Sequence, residues 1–70
     1  MRNIEISKLM LKEDHQFLGG MMRKINGKPM AIRNGYKKQF IAGMDSEPVP
    51  QKKNNAGRRM ANLWLLHNAN

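Results

Sequence analysis

The chain contains no cysteine, which excludes disulfide bridges and thiolate metal sites. That absence fits a reducing, cytoplasmic compartment. Histidine is almost as scarce: His15 and His67 are the only two, and no spacing joins them to the carboxylates a zinc site would also need. Aromatic rings number four, with Tyr36 the one expected at the surface, so recognition of single strands by stacking would be limited. No apolar run reaches the ~18 residues of a membrane span. The stretch MRNIEISKLMLKED interrupts its apolar residues with Glu5 and Lys8, unlike a secretory signal. A soluble intracellular protein with no membrane partner is expected.

The scarcest charge is negative. Five Asp and Glu face thirteen Lys and Arg across 70 residues, for a net charge of +8. An excess of this kind favours polyanionic partners. Catalytic groups are thin as well. Glu13, Asp14 and His15 form the only acid and base cluster, and consecutive helical positions point apart. The two serines, Ser7 and Ser46, sit near no base, and Gly19-Gly20 lacks the spacing and the Lys-Ser or Lys-Thr of a phosphate-cradling loop. A non-enzyme without metal or cofactor is expected.

What is present is charge in two blocks. Residues 21–41 carry Arg23, Lys24, Lys28, Arg33, Lys37 and Lys38 with no acid among them. Residues 51–70 carry Lys52, Lys53, Arg58 and Arg59, again unopposed, and between the blocks lie Asp45 and Glu47. Folding can bring two such blocks onto one face. Seven methionines are also present. Met10, Met21, Met22, Met30 and Met60 fall on apolar positions, either filling a small core or leaving an adaptable surface open to a partner or a second copy.

A chain this short makes one domain and hides roughly 60% of its unfolded surface. The spacing of Met10, Leu11, Phe17 and Leu18 predicts a helix over 7–18, capped by Ser7. Gly19-Gly20 is its expected stop; a rival reading runs the helix through Met22 and Ile25 to Gly27, at ~1 kcal/mol for each interior glycine. The pairs Asn26-Gly27 and Asn34-Gly35 match the type I′ hairpin signal, since both turn positions need positive φ. They divide the centre into strands at 21–25, 28–33 and 36–41, with Pro29 at a strand start or bulge. Residues 43–53, beginning GMDSEPVPQ, read as an extended linker. Met60, Leu63, Trp64 and His67 predict a last helix over 55–67, capped by Asn54 or Asn55, with Trp64 in the core. The expected fold class is therefore α+β: one αβββα or αββα domain, its antiparallel hairpin or meander covered by two helices.

The string KKNNAGRRMANLWLL resembles the last helix of double-stranded-RNA-binding domains, whose αβββα order and length are also similar. The resemblance covers about fifteen residues. The glycine-rich run that precedes the lysine pair in that family is here Glu47-Pro48-Val49-Pro50. The resemblance implies that Lys52, Lys53 and Arg58 contact phosphates across an RNA groove.

Two functions follow as expectations. The first is a non-catalytic nucleic-acid binder, RNA ahead of DNA, contacting phosphates through the basic hairpin and the start of the last helix. Its site would comprise Arg23, Lys24, Lys28, Arg33, Lys37, Lys38, Lys52, Lys53, Arg58 and Arg59. The second is a small inhibitor or regulator, of the kind a phage or other mobile element carries, that binds an acidic surface of another protein. An exposed Met-rich surface would also admit a homodimer.

Overall fold

The computed structural model describes residues 5–24 and 29–68, and every regular element in them is helical. A 3-10 turn at Ile6–Lys8 precedes helix α1 (Lys12–Lys24); α2 follows (Pro29–Ser46), then a second 3-10 turn (Pro50–Lys52) that runs directly into α3 (Lys53–Asn68). The expected α+β architecture is not formed, and no strand occurs among the described residues.

The centre of the chain is helical because its bulky residues obey the helical period. Tyr36, Phe40 and Met44 recur every four positions, with Gly43 beside them, and all four are buried on one stripe of α2. That stripe overrides the Asn34-Gly35 turn signal. No described residue has positive φ, as a type I′ turn would require. Pro29 is the first residue of α2, where its fixed φ suits a helix start and its missing N–H costs nothing. The strands expected at 28–33 and 36–41 are thus α2 from Pro29 onward, and the strand at 21–25 is the end of α1 as far as Lys24. Ile25, the Asn26-Gly27 pair and Lys28 lie outside the described residues.

Helix α3 buries Gly57, Ala61 and Leu65, again at a spacing of four. It runs antiparallel to α2: Gly35 meets Trp64, Tyr36 bonds Asn62, and Gly43 meets Gly57. The backbones come close because glycine faces glycine. A Cβ on Gly43 would lie 2.6 Å from the Ala56 carbonyl oxygen, and one on Gly57 would lie 2.6 Å from the Phe40 ring. Gly35 serves the same end, since the Trp64 indole occupies the space a side chain there would need. Trp64 itself is half-buried at the edge of a core whose fully buried members include Tyr36, Phe40 and Leu65. Tyr36, expected as an exposed ring, is completely buried.

Helix α1 starts later and ends later than its apolar spacing suggested. Ser7 does not cap it; Ser7 lies in the 3-10 turn and donates its hydroxyl to Glu5 at 2.9 Å. The cap is Leu11, whose N–H donates to the Asp14 carboxylate at 2.9 Å, with Asp14 at the third helical position. Gly19 and Gly20 stay helical, so the rival reading through Met22 describes α1 better than the stop at Gly19. The linker expected at 43–53 shrinks to Glu47-Pro48-Val49, with Val49 extended before Pro50. Asn54 and Asn55 sit within the first turn of α3 and not at its cap.

Candidate interaction surfaces

Among the described residues expected to contact phosphate, Arg58 and Lys53 turn inward. Arg58 donates through Nε to Asp14 Oδ2 at 2.6 Å, through Nη2 to Asp14 Oδ1 at 3.4 Å, and through Nη1 to Asn55 at 3.1 Å. Asn62, one turn along α3, donates to Asp14 Oδ1 at 3.0 Å and accepts the Tyr36 hydroxyl at 2.6 Å. This chain of polar groups ties all three helices together. Burial pushes the Asp14 carboxyl up. The bonds from Arg58, the Leu11 N–H and Asn62 outweigh it and hold the carboxyl below its usual value. The same bond to Asp14 raises Arg58. Burial, reinforced by the Asp14 charge, pushes the Tyr36 phenol up to about 12.

Lys53 is the second inward cation. Its ammonium donates to the Glu47 carbonyl at 2.6 Å and to the Met44 carbonyl at 3.1 Å, closing the C-terminal end of α2. Arg23 reaches back along its own helix to the Gly19 carbonyl at 3.3 Å. Lys24, Arg33, Lys38, Lys52 and Arg59 are exposed, Lys37 is half-buried, and Lys28 lies outside the described residues. Lys38 follows buried Tyr36 by two positions, and Arg59 precedes buried Ala61 by two, which rotates each about 200° from its helix's inner face. The inner faces of α2 and α3 meet each other, so Lys38 and Arg59 point in opposite directions. Of the three residues given phosphate roles by the resemblance to double-stranded-RNA-binding domains, Lys52 is exposed, and Lys53 and Arg58 are half-buried.

One pair of cations does border a concave surface. The first 3-10 turn, α1 and α2 enclose a groove of about 390 Å³. Half-buried Met10, Leu18 and Met22 line it from one side, Met30 stands 64% exposed at its mouth, and Arg33 and Lys37 border it from α2. Arg33 and Lys37 are four positions apart and share one helix face. The turn is held by buried Ile6 and by His15, whose Nε2 bonds the Ser7 carbonyl at 2.9 Å. Glu5, on the same turn, is lowered in pKa chiefly by its two bonds from Ser7, and further by the charges of Lys37 and Arg33. A second apolar area lies on the outer face of α3, where Leu63 is 54% and Leu66 49% exposed.

The side chains of the Glu13, Asp14 and His15 cluster diverge: Asp14 faces Arg58, His15 faces the N-terminal turn and Glu13 faces solvent. Among the described residues no group of three His, Cys, Asp or Glu side chains is arranged to hold a metal, and no helix is long and apolar enough to cross a membrane. Sequence reasoning missed the polar chain. It named Asp14 only as part of an acid and base cluster and gave Asn62 no role. The signals were the Asp at the third position of a helix and the Arg58, Asn62 spacing of one turn. In comparisons with known proteins the chain matches no family model, and no curated protein or solved structure is significantly similar to it.

Proposed function

We propose that this is a non-catalytic binding protein whose partner is an acidic surface of another protein. The observation that carries the reading is the groove between α1 and α2, where a methionine-lined apolar surface is bordered by Arg33 and Lys37. Phosphate backbones ask for cations and offer no apolar side chain to cover Met10, Met22 and Met30. A protein surface offers both carboxylates and apolar groups, and methionine repacks against varied shapes. The net charge of +8 would speed encounter with such a partner.

A second reading, nucleic-acid binding, is favoured by the exposed Lys24, Lys38, Lys52 and Arg59 on four helical elements. It no longer involves a basic hairpin, because that segment is α2. The two readings part in one experiment. The protein is used as bait in nuclease-treated lysate, beside an R33E/K37E variant and a Met22→Gln variant. The protein-partner reading expects an acidic protein retained by the parent and lost by both variants. In parallel, affinity for a random duplex RNA is followed across a salt series. Tight binding that falls steeply with salt and drops when Lys24, Lys38, Lys52 and Arg59 become Ala, with no nuclease-resistant partner, would overturn the first reading in favour of the second.

A further inference from the structure

We propose that the groove between α1 and α2 receives an acidic amphipathic helix, whose apolar side chains rest on Met10, Leu18 and Met22 and whose two carboxylates, one turn apart, pair with Arg33 and Lys37. This rests on the reading of the protein as a binder of acidic protein surfaces, and it names the segment bound.

The spacing comes from α2. Arg33 and Lys37 lie four residues apart on one helix, about 6 Å along the axis at 1.5 Å per residue. Carboxylates four residues apart on a partner helix present the same interval. The elements around the groove exclude the other common ways of taking up a peptide. An added strand needs a sheet edge to supply its backbone bonds, and the described elements flanking the groove are helices and a 3-10 turn. A proline-rich segment needs an aromatic-lined channel. Of the rings lining this groove, Tyr36 is fully buried with its hydroxyl given to Asn62, and the His15 imidazole is bonded to the Ser7 carbonyl. A helix satisfies its own backbone and needs from the groove only apolar contact and charge. The groove gives both, from residues half-buried at its floor and cations at its border.

The chain already places a carboxylate of its own near this pair. Glu5 sits on the 3-10 turn within electrostatic reach of Lys37 and Arg33. It is exposed and bonded to Ser7, so it screens the cations without filling the apolar floor. An arriving carboxylate meets repulsion from Glu5, and removing that charge strengthens binding.

The test uses the full chain and a synthetic fluorescent helical peptide with leucines at i, i+3 and i+7 and glutamates at i+4 and i+8. Three altered peptides accompany it: glutamates changed to lysine, leucines changed to serine, and a central proline. Binding is read by anisotropy, and each protein variant is checked for unchanged circular dichroism. The proposal expects the first peptide to bind and the three altered ones to lose about tenfold or more. It expects R33E/K37E to lose about tenfold, Met22→Gln to lose severalfold, and Glu5→Gln to gain about twofold. Equal binding of the proline-broken peptide, or of the first peptide to R33E/K37E, overturns it. Poly-glutamate serves as a structureless acidic control. If poly-glutamate binds and the helical peptide does not, the groove assignment falls while the acidic-partner reading stands. If neither binds, both fall.

Discussion

Between α2 and α3 the backbones themselves meet, with Gly43 against Ala56 and Gly57, Gly57 against Phe40, and Gly35 beneath Trp64. Helix α1 is held differently. It reaches the other two through side chains, Asp14 to Arg58 and Asn62, with Phe17, Leu18 and Met21 only partly buried. The first contact is close-packed, with the Tyr36–Asn62 bond inside it, and leaves no room for a side chain at Gly43 or Gly57. The second is polar and open enough to leave a groove beside it. The rigid pair acts as a scaffold, and the groove lies between one of its members, α2, and the more weakly held α1. Binding surfaces are commonly drawn from the less stable parts of a fold.

The contrast breaks hardest at Phe40, buried at the crossing of α2 and α3. Phe40→Ala costs about 3–5 kcal/mol and unfolds the whole chain in one transition, measured by urea denaturation with Trp64 fluorescence. A step that spared α2 and α3 would contradict the scaffold role. Alkali acts next. The Tyr36 phenol is pushed up to about 12. Its neutral form stabilises the fold fully below the ordinary value of ~10, and this is lost as pH rises from there through about 12. The loss is on the order of 2–3 kcal/mol, and because the chain has one tyrosine, phenolate absorbance reads it directly.

Asp14→Asn addresses the second contact. It weakens the bond to Arg58, which is still 26% exposed to water, so the cost is about 2 kcal/mol and not the larger figure for a fully buried pair. Hydrogen exchange should rise across 12–24 while 36–65 stays protected. Asp14 also sets the acid limb. Its carboxyl is held low in the folded state, so its contribution is complete above the ordinary ~3.9 and disappears as pH falls through the folded value. The asparagine variant should flatten that part of the curve. The finest test sets two glycines side by side. Gly43→Ala forces a Cβ against backbone and costs at least about 1 kcal/mol. Gly20→Ala, with nothing within 4 Å, gains about 1 kcal/mol in thermal or urea stability. Equal signs at both positions would erase the distinction drawn between the two contacts.

The last helix was legible in the sequence because Met60, Leu63 and Trp64 repeat at its period, though Met60 and Leu63 proved exposed, Trp64 packs at the core's edge, and the buried stripe is Gly57, Ala61 and Leu65. The first helix was legible in part. Its apolar spacing was visible, but the cap was supplied by Asp14 three positions downstream, and Gly19-Gly20 were held in the helix against their propensity. The centre was misread for a physical reason. Asn-Gly is a local turn signal, and it competed with Tyr36, Phe40 and Met44, whose period becomes decisive only when α3 is there to cover them. Gly35 looked like a turn glycine and is a packing glycine. The groove could not be read from the chain, since Met10, Met22, Arg33 and Lys37 come from elements whose arrangement depends on that misread centre.

The meeting of Gly43 and Gly57 bears on how this chain can change over generations. A side chain at Gly43 would need the α3 backbone at Ala56 and Gly57 to move, and one at Gly57 would need Phe40 and Met44 to give way, so each position is held to glycine by the helix opposite. Descendants that keep this crossing will carry glycine at both places, while Gly20 is left to wander.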